Sequence, residues 1–266
     1  MNVYSTPPPA STTTLFTELV EQLGPPFIVK ENSEGEITAS LNQPMMTAIF
    51  ADENLIVRDP ALKQFFLYQE GGIWEDITEE RLQHLFESLL RRVGEGLPIT
   101  HLRARRPLSD LVAMLRGRVE KKDAFATRPS IINVQNGVLR VNRDGFDFTE
   151  HHPAYYSRNQ APVRFAREAK CPKFQAFLDR ALPSKDDQLV VQLFGAQFML
   201  GRNFLQRILI LTGRAKSGKS TLMKILRLMV GRENVRELRD GQLDTRFETY
   251  SYPESTDDGE GNDREP

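Results

Sequence analysis

Eight consecutive residues constrain this chain more than any others: Gly213-Arg214-Ala215-Lys216-Ser217-Gly218-Lys219-Ser220, followed by Thr221. They fit the pattern G-x-x-x-x-G-K-[ST]. Average residue usage would produce it by chance in a chain of this length about once in a hundred. The surroundings fit as well. Ile208–Leu211 is a continuous β-branched and leucine run, expected to be a buried parallel strand. Leu222, Ile225, Leu226 and Met229 follow at helical spacing, and Gly231 stops them. A strand before the loop and a helix after it are the context that the pattern requires.

The residue types explain the chemistry expected there. Gly213 and Gly218 allow backbone conformations that a side chain forbids, so that successive N–H groups converge on phosphate oxygens. The following helix adds its free N–H groups and its positive dipole end. Lys219 is expected to reach the β- and γ-phosphates, and the Ser220 hydroxyl to ligate Mg²⁺. Lys216 adds positive potential inside the loop. Residues Gly213 to Thr221 are therefore the candidate site for ATP with Mg²⁺. The bland alternative is an ordinary glycine-bearing turn. Hydrolysis also needs an acidic strand end to hold Mg²⁺ and orient water. After Gly231, Asn234-Val235 and Leu238 are the nearest approach to such a strand, and neither belongs to an apolar run ending in Asp or Glu. No catalytic residue is assigned.

The rest of the chain divides by composition. Its 266 residues suggest about two domains. With 39% hydrophobic and 27% charged residues, most of it is expected to fold. No apolar run approaches the roughly 20 residues that span a bilayer, and no cationic leader precedes Lys30. One cysteine, Cys171, excludes an internal disulfide framework and fits a reducing compartment. His84, His101, His151, His152 and Cys171 lack metal-site spacing.

Residues 1–44 are read as a disordered Pro/Ser/Thr-rich tail (5–14), a short helix bearing Leu15, Phe16, Leu19, Val20 and Leu23, and a hairpin from Phe27–Lys30 and Glu36–Leu41. Residues 45–165 read as a small α+β domain. Strands are expected at Phe65–Gln69, Ile73–Ile77, Ile131–Val134, Val138–Val141 and Phe146–Phe148. Gly71-Gly72, Asn136-Gly137 and Asp144-Gly145 supply the turns. One helix carries Leu82, Leu85, Phe86, Leu89 and Val93. A second starts at Pro107 with Leu108, Leu111, Val112, Leu115 and Val119. Residues 166–249 are expected to hold helices from Pro172 to Leu182 and from Asp186 to Leu200, then the loop region. Residues 250–266 read as a disordered acidic tail with a net charge of −5 over 251–266.

The overall charge of −1 argues for no partner, but its distribution is uneven. Residues 91–122 carry a net +6, and Arg103, Arg105 and Arg106 are expected in one loop before Pro107. With Arg116 and Arg118 they are the candidate contacts to nucleic-acid backbone; a solvated helix face is the alternative. Tyr68 and Trp74 are either stacking surfaces for single-stranded bases or core residues.

The order of these features resembles the phage- and plasmid-type primase–helicases, whose motors are superfamily 3 helicases. The resemblance rests on Tyr68-Gln-Glu-Gly-Gly-Ile-Trp74-Glu-Asp-Ile77, on Ile132-Asn-Val-Gln-Asn136-Gly137-Val-Leu-Arg-Val141, and on His152-Pro153 with Ala161-Pro162-Val163. Ala169-Lys-Cys171-Pro172-Lys-Phe174 with Phe177-Leu178, Gly213–Thr221 and Leu243–Glu248 complete it. It implies a mixed α/β chain: an α+β DNA-binding domain, a helical collar, then the first strand, P-loop and helix of an AAA+-like parallel sheet. It also implies ATP-driven unwinding, a homo-oligomeric ring around single-stranded or forked DNA, no membrane, and the cytoplasm of a bacterial or phage-infected cell. Lys219 and Ser220 carry over as nucleotide- and Mg²⁺-binding residues. The departures are equally specific. No primase domain precedes Met45, and the family's acidic motif, sensor and arginine finger, due after Phe247, are not found. The expectation is therefore a helicase cut short after its P-loop, with a catalytically inactive DNA- or partner-binding module from a truncated prophage gene as the alternative. A small P-loop kinase fits less well, because few residues remain for its further strands and lid.

Overall fold

The computed structural model describes residues 12–126 and 130–236. The stretch before Thr12, Leu243–Glu248 and the acidic run 251–266 lie outside these residues. Within them are seven α-helices and three small antiparallel sheets, a mixed α/β architecture.

Helix α1 (Thr12–Leu23) begins inside the stretch expected to lack structure, and turns Leu19, Val20 and Leu23 onto the main core. A hairpin follows, β1 (Phe27–Glu31) paired with β2 (Ile37–Leu41). Asn32 closes it, its Oδ1 accepting from the N–H groups of Glu34 and Glu36. Asn42 then caps α2 (Gln43–Glu53) through Met45 N and also donates to Leu23 O, 2.7 Å away. One side chain thus ties the end of α1 to the start of α2.

Helix α2 is buried from Met45 through Phe50. The sequence reading contains no helix here, because a helix that is apolar all round shows no amphipathic period. Strands β3 (Ile56–Asp59), β4 (Gln64–Tyr68) and β5 (Trp74–Ile77) form a meander. Thr78 caps α3 (Glu79–Val93), and a short 3-10 turn (Thr100–Arg103) leads to α4 (Arg105–Val119). The expected faces of α3 and α4 close on α2. Phe86 stacks on Phe50 with ring centroids 4.2 Å apart, and Leu82, Leu90, Leu111 and Leu115 are fully buried around them.

A third sheet, β6 (Ile131–Val134), β7 (Gly137–Asn142) and β8 (Gly145–Thr149), turns one residue earlier than expected, at Gln135-Asn136 and Arg143-Asp144, so that Gly137 and Gly145 open β7 and β8. It is fastened to the β4–β5 hairpin tip. Asn133 Nδ2 donates to Gly72 O and Gln160 Nε2 to Gly71 O. Gly72 has φ +86°, and a Cβ there would collide with the His151 ring, so glycine is required on both counts. Trp74 belongs to an aromatic core instead of offering an open stacking surface. It is 5% exposed, lies parallel to Tyr156 at 5.5 Å, and donates through Nε1 to Pro153 O.

The C-terminal part has three helices: α5 (Pro172–Ala181), α6 (Lys185–Leu200) and α7 (Lys219–Val230). They share a small core of Leu178, Val191, Leu222 and Leu226. Asp179 locks α5 to α6 by accepting from Lys185, Gln188 and Gln175. Asn234 Nδ2 donates to Gln160 O and so joins this part to the β6–β8 region.

Two expectations are corrected. Ile208–Leu211 is not a buried parallel strand: it pairs with no strand among the described residues, and Ile208 and Ile210 are 86% and 76% exposed. Only Leu209 and Leu211 are partly covered, Leu211 against the small core. The described residues therefore contain no parallel sheet. Helix α4 begins at Arg105, two residues before Pro107, so Arg105 and Arg106 are helical and Arg103 ends a 3-10 turn.

Two measurements test this packing. Phe86→Ala should destabilise the chain by about 3–5 kcal/mol, read from the denaturant midpoint; a loss below about 1 kcal/mol would remove the ring from the core's centre. Asp179 is held below the usual carboxylate range, first by its hydrogen bond from Lys185 and then by Gln188 and Gln175. A lowered folded pKa stabilises above the unfolded value of about 3.9, and that stability is lost as pH falls. Asp179→Asn should therefore lower Tm at pH 7, and the gap should close on acidification below about pH 3.9. A gap independent of pH would contradict this.

Candidate functional site

The loop at 213–220 is built by its glycines and by the core behind it. Gly213 has φ +144° and Gly218 has φ +97°, both in the region that glycine tolerates best. Lys216 takes φ +62° between them, an uncommon conformation for a residue with a Cβ. Gly218 is the N-cap of α7, and Leu222 N bonds back to its carbonyl at 2.9 Å. The Phe177 ring of α5 lies where a Gly218 Cβ would come within 3.2 Å, a tight approach that adds to the preference for glycine set by φ. Leu222 and Leu226, one helical turn apart, bury α7 against α5 and α6 and so fix the direction of the helix start.

Lys219 is the first residue of α7. Its ammonium donates to Gly213 O (2.9 Å), Arg214 O (2.8 Å) and Ser217 Oγ (3.3 Å). All three donors are thus turned onto the loop's own oxygens. Arg214, Ala215, Lys216, Ser217, Ser220 and Thr221 are exposed. Among the described residues, Arg214 and Lys216 make no ion pair and the Ser220 and Thr221 hydroxyls make no hydrogen bond. Behind the loop is a cavity of about 290 Å³ lined by Phe177, Leu182, Val191, Leu211, Gly218 and Lys219. The arrangement suits an anion: a positive helix end, a lysine, two free cations and a backbone turned by positive-φ residues. Those donors also fit a triphosphate with Mg²⁺, Ser220 being the hydroxyl nearest the helix start.

The five arginines of 103–118 do not form one patch. Arg103 lies 3.6 Å from Glu87, which also accepts from Arg91, and these contacts, led by Arg91, hold the Glu87 carboxyl below its usual range. Arg116 is paired with Glu79. Arg105, Arg106 and Arg118 are exposed and make no ion pair among the described residues. The first two sit in the opening turn of α4, where positive charge opposes the helix dipole. Arg118 is 12 or 13 residues further on, roughly 20 Å along the axis.

A steeper basic stretch went unnoticed in the sequence, although counting finds it. From Arg202 to Arg236 there are nine cations, Arg202, Arg207, Arg214, Lys216, Lys219, Lys224, Arg227, Arg232 and Arg236, against the single acid Glu233, a net of +8. Arg227 aside, none of them is in a salt bridge among the described residues. Three of these residues, Arg214, Lys216 and Lys219, belong to the motif at 213–220, which hides the excess around it.

No curated protein matches the chain. The family model described as D5 N terminal like matches residues 44–183. That segment runs from α2 through α5, more than half of the chain, and contains both three-stranded meanders and the α3–α4 pair. The loop at 213–220 follows it. The chain belongs to the D5 N terminal like family, of the phage- and plasmid-type primase–helicases.

Proposed function

We propose that the chain binds ATP with Mg²⁺ at Gly213–Thr221 as the nucleotide-holding part of a DNA-replication helicase. The observation that carries this reading is the conjunction of Gly213, Lys216 and Gly218 at positive φ with Lys219 at the first position of α7. On binding, phosphate oxygens replace Gly213 O, Arg214 O and Ser217 Oγ as acceptors for the Lys219 ammonium. Backbone N–H groups of the loop and the α7 terminus hold the remaining oxygens. Ser220 contributes one Mg²⁺ ligand. Hydrolysis requires in addition a positioned carboxylate to hold Mg²⁺ and orient water, and Gly213–Thr221 contains no acidic residue.

In this reading the partner is single-stranded or forked DNA, encircled by a homo-oligomeric ring, and unwinding is driven by ATP. Arg105, Arg106 and Arg118 are the α4 cations open to phosphate, whereas Arg103 and Arg116 would first have to leave Glu87 and Glu79. No helix among the described residues is long and apolar enough to cross a membrane. A partner-binding module without catalysis is the second reading. It is favoured by the apolar side chains left open on the C-terminal part: Leu189, Leu193, Ile208, Ile210, Met223 and Leu228.

Calorimetric titration with Mg²⁺–ATP tests the first reading. Lys219→Ala should weaken binding by at least about tenfold, as expected when a charge-assisted phosphate contact is lost. Equal affinity in the parent and Lys219→Ala would reject the site. Absence of binding by the parent would favour the second reading.

A further inference from the structure

The turn between α6 and the 208–212 segment carries a feature that nucleotide binding does not use. Phe204 is 52% exposed, and Arg202 and Arg207 flank it in sequence. The turn is firmly built. Gln197 of α6, 4% exposed, donates through Nε2 to Asn203 Oδ1 at 3.1 Å and accepts from Leu205 N at 3.1 Å. Asn203 Oδ1 also accepts from Arg207 N at 3.3 Å, and Arg202 N donates to Gln197 O. Gln206 is held at φ +50°. A buried carboxamide therefore fixes the turn that carries the exposed Phe204, with the half-buried Arg202 and the exposed Arg207 on either side of it in sequence. Neither Arg202 nor Arg207 has an acidic partner among the described residues.

We propose that this turn binds single-stranded nucleic acid, with Phe204 stacked on a base and Arg202 and Arg207 neutralising the phosphates beside it. A ligand both anionic and aromatic matches the three side chains together. Duplex DNA offers phosphates but no free base face, and an acidic peptide would leave the ring unused. Stacking on a phenyl ring tolerates any base, so the contact is non-specific in sequence. Its location within the +8 stretch supplies long-range attraction for a polyanion. The inference rests on the nucleic-acid partner proposed above and names the surface that meets it.

The test is fluorescence anisotropy of a labelled 20-nucleotide oligothymidine with the full chain over a range of salt concentrations. Phe204→Ala should weaken binding about tenfold, whereas Phe204→Tyr should retain it. Arg202→Glu with Arg207→Glu should flatten the slope of log K against log salt by about 1.4, roughly 0.7 for each lost contact. A Phe204→Trp variant gives a direct readout, because Trp74 is buried and the new indole should be quenched by the stacked base. Mg²⁺–ATP affinity should be unchanged in every variant, which separates this inference from the phosphate site. If the parent binds the oligonucleotide but Phe204→Ala binds equally well and the new indole is unquenched, the inference is overturned. Loss of self-association in Phe204→Ala, with oligonucleotide binding intact, would assign the surface to a second copy of the chain and also overturn it. No binding by the parent would remove the nucleic-acid partner itself.

Discussion

Everything N-terminal to the loop depends on the burial of α2. A helix with no polar face has to be enclosed, and α1, α3, α4 and the β1–β2 hairpin do the enclosing. The Phe50–Phe86 stack sits at the middle of that contact. Once α3 and α4 are held there, β4 is fixed between two cores, Phe65 facing the helices and Phe66 the aromatic cluster with Trp74. Trp74 in turn anchors the Pro153–Tyr156 turn, and the Gly71-Gly72 tip anchors β6 through Asn133. Asn234 then reaches the same region from beyond α7. The candidate phosphate loop is thus tied, step by step, to a helix that carries no chemistry of its own.

The C-terminal part is built differently. Four buried residues hold α5, α6 and α7 together, against eighteen in the main core. Such a small core stabilises weakly, and the Asp179 network and the Ser184 cap of α6 supplement it with polar contacts. The same part exposes Ile208 and Ile210. It combines an ordered loop, an excess of positive charge and uncovered apolar surface. Those are the properties of a region whose role lies in meeting other molecules.

Elements with a strong local signal were legible in the sequence. The α3 face, Leu82, Leu85, Phe86, Leu89 and Val93, has the helical period. The hairpins at Asn136-Gly137 and Gly71-Gly72 have turn residues that admit positive φ. The loop at 213–220 was legible for the same reason, since its glycines and lysine act within eight residues. What failed was non-local. A run such as Ile208–Leu211 becomes a strand only when another strand pairs with it, and periodicity cannot show that partner. The pairing of Arg116 with Glu79 spans 37 residues, so the arginine cluster looked freer than it is. Helix α2 was missed because enclosure on every side erases the pattern by which helices are found. The Phe204 turn depends on the buried amide of Gln197, a residue whose burial nothing in the sequence announces.

Hydrogen exchange of the backbone amides, with and without Mg²⁺–ATP, examines the phosphate site most directly, because the account assigns the binding to main-chain N–H groups. Amides from Gly213 through Leu222 should exchange more slowly in the presence of nucleotide, while those of β6, β7 and β8 stay unchanged. Nucleotide binding that leaves the 213–222 amides unprotected, or protects a different segment instead, would contradict the account.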